Sequence, residues 1–354
     1  MNNLIFSDFG VHSTFIEITN ICNMHCAFCP TDLIKAKKRR MDFSTFSKVI
    51  DQVASLKPVE AVSLNILGEP LMHPEVFRFV DYCKDKGLRI YLFTNGTLTA
   101  EHVREICKRD NIEALVLSYQ TPDRQSYRLR GCRIPFEDYH AGMVAALDYI
   151  ISSGAWQKMR VEIHLANTKH LPFPEWSVLD DNHAALLVMR ELARVVKRLH
   201  AKYVAGSSDL DAVEKSIDQD FNRVPENILD LREWHYWGYA AAPNIYIRIK
   251  YMGTFGAIPE LLPKTVTIVE NCSPIQCDML SAAICVHCDG TITNCCLDVN
   301  GEIGLGNVKT HSLLDALQSE RRKASIENAT INALCRRCLG KMVYDPSRKE
   351  QENQ

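Results

Sequence analysis

Between Cys22 and Pro30 the chain reads Cys-Asn-Met-His-Cys-Ala-Phe-Cys-Pro, which sets Cys22, Cys26 and Cys29 at a CxxxCxxC spacing. Three thiolates so placed can each take one iron of a [4Fe–4S] cube, whereas four-cysteine sites close the cluster completely. No further cysteine follows until Cys83, so one iron is left without a protein ligand. Such an iron is a place for a substrate or cofactor to bind, as a catalytic zinc keeps one position free. A β-rich run, Thr14-Phe-Ile-Glu-Ile-Thr19, leads into the cysteines. Incidental thiols are the alternative, but this spacing seldom arises from packing alone.

Bulk properties narrow the class. Formal net charge is −2, from 41 basic and 43 acidic residues among 354. That balance gives no reason to expect nucleic acid or an anionic membrane as partner. Fourteen cysteines would suggest disulfides in a secreted chain. Met1–Gly10, however, has neither a basic n-region nor a long apolar core, so no signal peptide opens the sequence. No apolar run reaches the length of a membrane span. A cytoplasmic, metal-binding protein is the expectation.

Strands and helices alternate. Strand-like runs are expected at Thr14–Thr19, Glu60–Leu67, Leu88–Thr94, Ile112–Tyr119, Met159–Leu165 and Asn244–Tyr251. Helices are expected from Ser44 or Asp42 to about Leu56, then over Pro74–Lys86 (closed by Gly87), Thr99–Arg109, Phe136–Gly154 and Asn182–His200. The region around the last helix reads as less regular. Alternation of this kind argues for parallel, right-handed β/α units.

The cysteine run after the first strand resembles that of the radical S-adenosylmethionine superfamily. The resemblance implies a partial (β/α)6 barrel, a SAM-binding [4Fe–4S] cluster and S-adenosyl-L-methionine. Gly68-Glu69-Pro70, after the second strand, is similar to that family's GEP motif, which holds the methionyl amine; a carboxylate pairs with an ammonium. Thr94-Asn95-Gly96-Thr97 resembles its TNG turn, and Phe28 matches an aromatic position against adenine. Ser118, with Arg128 or Arg130 after it, matches residues for ribose or the methionyl carboxylate. Where many relatives read Ser-x-Asp-Gly, this chain has Ser118-Tyr119-Gln120-Thr121. Lys35–Arg40 reads as a solvated basic loop or a clamp for an acidic substrate, and Trp234-His-Tyr-Trp237 as packing or a flat ring-binding wall. Cys83 and Cys107 read as helix packing, and Cys132 is not expected to be a hydrogen-atom donor.

Eight of the cysteines fall after residue 271. Asp289-Gly290 between two β-rich runs, Ala282–Cys288 and Thr291–Cys295, is a hairpin signal. Turns follow at Gly301 and Gly304–Asn307, then a helix over Ser312–Ser325, with Cys335-Arg-Arg-Cys338 ending the ordered chain. The span from Cys277 through Gly290 to Cys295 resembles the first half of the SPASM motif, and Cys335 and Cys338 continue it. Tyr344 stands where the next cysteine would come. The resemblance is thus to the shortened twitch form, with Cys277, Cys295, Cys335 and Cys338 around a second, auxiliary [4Fe–4S] cluster. A four-cysteine zinc site from Cys285, Cys288, Cys335 and Cys338 is the competing reading. Cys272, Cys285, Cys288 and Cys296 remain as spares, any of which could replace a chosen ligand.

These features divide the chain into a radical SAM partial barrel (1–265), a small β-hairpin/helix iron–sulfur domain (266–345) and a polar tail (346–354). The resemblance implies an oxidoreductase that cleaves S-adenosylmethionine reductively and takes hydrogen from a substrate, with the auxiliary cluster accepting an electron. A small carbohydrate-like or antibiotic-type metabolite is one substrate class, and a ribosomal peptide or protein is the other. The barrel begins within the first dozen residues, which leaves no room for a fused leader-peptide domain of ~50 residues. A flavodoxin or ferredoxin is the implied low-potential electron donor.

Overall fold

The computed structural model describes residues 6–56, 61–206, 209–231, 238–253 and 258–348. The chain forms two compact units, one from Met1–Leu92 with Thr254–Gln354, the other from Phe93–Gly253. Both are α/β and built on parallel strands. Among the described residues no helix is long and apolar enough to cross a membrane.

In the first unit β1 (Ser13–Ile16), β2 (Val62–Ser63) and β3 (Ile90–Thr94) pair in parallel. The helix α1 (Phe43–Ser55) starts at Asp42, whose carboxylate accepts from the Thr45 N–H at 2.8 Å. Ser44, the other candidate cap, donates its hydroxyl to Asp42 instead, and these bonds hold the Asp42 carboxyl down at about 2. Phe46, Val49, Ile50 and Val53 recur at helical spacing and are fully buried. Phe46 stacks at 4.1 Å on Phe79 of α2 (Val76–Asp85). The second strand is shorter than Glu60–Leu67, and Glu60 lies outside the described residues. Leu64–Leu67 leaves the ladder because the Leu67 N–H turns to the Glu17 carboxylate at 3.2 Å.

The C-terminal hairpin is continuous with this sheet. β9 (Ala283–Val286) runs parallel to β1, with Thr14 opposite Ile284, and antiparallel to β10 (Thr291–Thr293). Gly290 turns the hairpin at φ +92°, where a Cβ would sit 2.7 Å from Asn307 Oδ1 of β11 (Gly306–Asn307). The one-turn α8 (Asp278–Ala282) precedes β9. The expected helix over Ser312–Ser325 is instead two. α9 (Leu313–Gln318) carries a capping box between Ser312 and Asp315. At Ser319 the backbone is extended, and the Ser319 side chain caps α10 (Glu320–Glu327). Nor does the ordered chain end at Cys338. Beyond α11 (Ala333–Cys338), β12 (Lys341–Tyr344) pairs antiparallel with β8 (Val266–Val269).

In the second unit β4 (Ile112–Gln120), β5 (Arg160–Asn167) and β7 (Ile245–Tyr251) are parallel, and β6 (Tyr239–Ala242) is antiparallel to β7. Its helices are α3 (Thr99–Cys107), the one-turn α4 (Arg124–Tyr127), α5 (Phe136–Ser152) and α6 (Asn182–His200). The less regular stretch holds a further helix, α7 (Leu210–Phe221), capped by Asp209. Only Ile217 of α7 is buried; ion pairs from Arg194 and Arg198 to Glu214 and from Lys197 to Asp220 hold it to α6. That mostly polar face is why hydrophobic periodicity misses it. The aromatic cluster Trp234–Trp237 lies outside the described residues.

Candidate iron–sulfur and cofactor site

Cys22, Cys26 and Cys29 sit in the loop between β1 and the short 3-10 turn Pro30–Asp32. Met24 and Phe28 are buried and anchor the loop, while the three thiols stay partly accessible. The Cys29 N–H donates to Cys26 O at 3.0 Å, and the Cys29 thiol contacts Thr31 Oγ1 at 3.0 Å. The mouth of the loop is stapled shut. Asn20 Oδ1 accepts from the Arg39 N–H at 2.7 Å, Asn20 Nδ2 donates to Lys37 O at 3.1 Å, and Thr19 Oγ1 donates to Arg39 O at 3.1 Å. The basic segment Lys35–Arg40 therefore clasps the cysteine loop through its backbone and keeps its side chains exposed.

Gly68 presses the second motif against that loop. At φ +74°, a Cβ there would lie 2.3 Å from Thr19 O, so no other residue fits without moving backbone. The Glu69 N–H donates to Ile21 O at 2.8 Å. The Glu69 side chain is buried, and its Oε1 accepts from the Leu71 N–H at 3.0 Å at the start of the turn Pro70–Met72.

Glu17 is the residue that the motifs did not single out. Its Oε1 accepts from the Leu67 N–H, and its Oε2 accepts from the Cys288 N–H at 3.1 Å. His287 Nδ1 stands 3.7 Å from the same carboxylate. One buried carboxylate thus ties the strand before Gly68 to the C-terminal hairpin. A charged residue inside the apolar run Thr14–Thr19 was its signal in the sequence. Burial opposes ionisation of Glu17, but His287 and the Cys288 N–H outweigh it and hold its carboxyl below the ordinary value. Burial likewise opposes charging His287, and the Glu17 carboxylate overrides it, raising the imidazole. The carboxylate's contribution to stability is present above its unfolded pKa and is lost as pH falls. That of His287 is complete below its unfolded pKa and is lost as pH rises through the raised one. Glu17→Gln should therefore lower the melting temperature more at about pH 6 than at about pH 9. An equal drop at both pH values would contradict the pairing.

The C-terminal cysteines separate into two groups. Cys295 and Cys335 are buried in one apolar core with Leu67, Ile258, Leu280, Leu334 and other aliphatic residues, and Cys277, Cys338 and Cys29 pack against it. Burial, then the neighbouring Cys338 and Cys277 thiols, push Cys335 up to about 11. Burial, then Cys296, Cys338 and Cys335, raise Cys295 as well. Desolvated thiols that raise one another bind protons tightly, and a metal cluster that takes them as thiolates removes that cost. The donor set therefore fits an iron–sulfur cluster. Cys285 and Cys288 lie outside that core, although the neighbouring Cys296 and Cys295 thiols help burial to raise Cys285. Cys285 is fully buried in β9 opposite Phe15, and Cys288 sits against Glu17. Among the described residues no three His, Cys, Asp or Glu side chains converge as on a single metal ion, which is what a zinc site from Cys285, Cys288, Cys335 and Cys338 requires. Thiols on a cube each meet a different iron and need no common point. Cys272 is exposed and Cys296 partly so.

Asn95, Ser118 and Arg130 lie in the second unit. The Asn95 side-chain oxygen accepts from the Thr97 N–H at 3.0 Å and the Thr97 hydroxyl at 2.7 Å, closing the turn. Arg130 is buried, and its Nη1 donates to Ser118 O at 2.8 Å and Tyr119 O at 2.9 Å. It binds the C-terminal end of β4. Gln120 follows at φ +54°, with a register shift in β4 beside it. Cys83 is buried within α2, Cys107 closes α3, and Cys132 lies beside Tyr127.

A model of the Radical SAM superfamily matches residues 16–155, and one of the SPASM iron–sulfur cluster-binding domain matches residues 277–339. The first brings a [4Fe–4S] cluster and S-adenosylmethionine, the second auxiliary iron–sulfur ligation. The AdoMet-dependent heme synthase of Methanosarcina barkeri is 33% identical over 36% of this chain and 36% of its own length. The first curated relatives are matched over only 27% to 37% of their length. The GTP 3',8-cyclase of Peptoclostridium acidaminophilum is 25% identical over 88% of this chain and 90% of its own. Among solved structures, Streptococcus suis SuiB bound to S-adenosylmethionine shares the fold, with TM-score 0.55 and 17% identity over 92% of this chain and 72% of that one.

Proposed function

We propose, from the premise that this chain is a radical S-adenosylmethionine enzyme with a SPASM-type C-terminal region, that it oxidises a small metabolite and hands an electron to an auxiliary cluster. The observation that carries this is the apolar core shared by Cys29 and by Cys277, Cys295, Cys335 and Cys338. A bound first cluster would supply the electron for reductive cleavage of S-adenosylmethionine, and the cleaved cofactor would supply the hydrogen abstraction from substrate. Cys22, Cys26 and Cys29 would hold the first cluster by three thiolates. Cys277, Cys295, Cys335 and Cys338 would hold the second cluster by four thiolates. Gly68, Glu69 and Pro70 hold the methionyl amine and Phe28 backs the adenine. Within the second unit, Arg130 acts by fixing the strand end that carries Ser118. The aliphatic shell around the cysteines excludes water from a reactive radical.

Anaerobically reconstituted protein with a strong reductant should convert S-adenosylmethionine to 5′-deoxyadenosine; no conversion contradicts the reading. Glu69→Gln keeps the size and removes the charge that pairs with the ammonium. A charge-assisted contact is worth ~1.5–3 kcal/mol, so affinity for S-adenosylmethionine should fall about 10- to 100-fold. An unchanged dissociation constant in folded protein would count against the assignment.

The small-metabolite reading is supported by the GTP cyclase relative, which is matched along most of this chain. Carbohydrate-like and antibiotic-type metabolites fall in the same class. A peptide substrate is the second reading, favoured by the solution of SuiB with its precursor peptide SuiA. Turnover of either kind calls for a low-potential donor such as flavodoxin or ferredoxin, and for the cytoplasm, where thiols stay reduced.

A further inference from the structure

Lys35-Ala-Lys-Lys-Arg-Arg40 carries five cations, and no acidic residue stands between Leu33 and Met41. So dense a run of like charge repels itself and is commonly a disordered tail that meets a partner. Here it is fixed. Asn20 and Thr19 bond its backbone at Lys37 and Arg39, Arg40 bridges to Thr19, and the Met41 N–H donates to Ile18 O at 2.8 Å. Two of the five cations turn back on the protein. Lys38 Nζ donates to Thr31 O and Asn20 O, and Arg40 Nε donates to Met72 O at 3.3 Å.

Lys35, Lys37 and Arg39 do not turn back. They are exposed, and among the described residues their side chains form no ion pair and no hydrogen bond. Arg78, Lys86, Lys323, Arg336 and Arg337 of the same unit each meet a carboxylate. Of the acids that share the loop's surroundings, Asp32 meets His25 at 2.8 Å, and Glu302 meets Arg337 at 2.9 Å beside Lys35. Asp289, beside Ala36, and Glu260, beside Lys35, are left to offset three exposed cations, and neither pairs with one. The patch borders the cysteine loop itself. The Thr31 whose carbonyl holds Lys38 contacts the Cys29 thiol through its Oγ1 at 3.0 Å, and Asn20 stands two residues before Cys22. Leu33, 42% exposed, gives it an apolar margin.

We propose that Lys35, Lys37 and Arg39 form the docking surface for the electron donor, a small acidic one-electron carrier protein. This rests on the radical reading, which calls for such a donor. One electron leaves the carrier, a flavin hydroquinone becoming the semiquinone, and reduces the first cluster. Electron transfer slows steeply with distance, so the carrier has to dock beside the thiols, where this patch lies. A rigid charged surface steers an oppositely charged protein and orders little on contact. Redox encounters of this kind are small and transient, and need an exposed patch rather than a deep pocket.

Flavodoxin titrated calorimetrically into the reconstituted protein tests the surface. It should bind, and the affinity should fall by about tenfold or more as potassium chloride rises from about 50 to about 300 mM. Lys35→Glu combined with Lys37→Glu should weaken binding by about tenfold or more at low salt and flatten the salt dependence. Lys48→Glu, exposed on α1, should change it by less than about twofold. Dithionite needs no docking, so with it the double variant should form 5′-deoxyadenosine at the wild-type rate. No binding, salt-independent binding, or equal binding to wild type and double variant overturns the proposal. So does a dithionite-driven rate that falls together with binding, because the loop then serves the cofactor or an acidic substrate instead. Should the double variant fail to fold, Lys35→Gln with Lys37→Gln and the wild-type salt series decide the matter. Wild-type protein that makes no 5′-deoxyadenosine with dithionite sinks the radical reading, whereas cleavage without flavodoxin binding sinks only this one.

Discussion

Replacing Cys22, Cys26 and Cys29 together with alanine should abolish 5′-deoxyadenosine formation and leave roughly half of the iron, that of the second site. The loss should be complete because, on the proposed reading, the cofactor would bind at the cluster that these three thiols hold. Met24 and Phe28 anchor the loop, and Asn20 with Arg39 closes it, independently of the thiols. The variant should therefore keep its fold, which a melting curve checks. Reductive cleavage that persists in folded triple variant would overturn the assignment of this loop.

Cys295→Ala combined with Cys338→Ala should hold about four irons fewer per chain and still make 5′-deoxyadenosine. Its melting temperature should fall, because a cluster that binds only the folded chain contributes its binding energy to stability. The fall should be larger than that for Cys285→Ala, since Cys285 packs in β9 as a small apolar side chain. A double variant with unchanged iron would contradict the ligand set. A variant that loses all cleavage while keeping the iron of the first site would contradict separate roles for the two clusters.

The fold was legible wherever local signals agreed. Asn182–His200 follows from periodicity and its Asp181 cap, and the parallel strands follow from their alternation with helices. It was less legible where tertiary contacts decided. The strand at Val62–Ser63 is cut short because Leu67 turns to Glu17, a partner 50 residues away. The helix at Ser312 breaks because Ser319 offers a second cap, and α7 is held by ion pairs that leave no apolar stripe. The cysteine spacings could be read directly, since ligand geometry constrains sequence separation. The parallel pairing of β9 with β1, and Glu17 bridging to Cys288, depend on register between segments some 270 residues apart. Nothing local encodes that. The charged face of β5 and β7 is hidden in the sequence for a related reason. Arg160, Glu162 and His164 alternate visibly, yet only the pairing with β7 brings Arg248 and Lys250 to the same side.

Metal analysis of intact, anaerobically reconstituted protein tests the central claim most directly. Two cubes, one on three thiolates and one on four, predict about eight irons per chain and no zinc. About four irons with one zinc would contradict the account and assign the C-terminal cysteines to a closed four-thiolate zinc site.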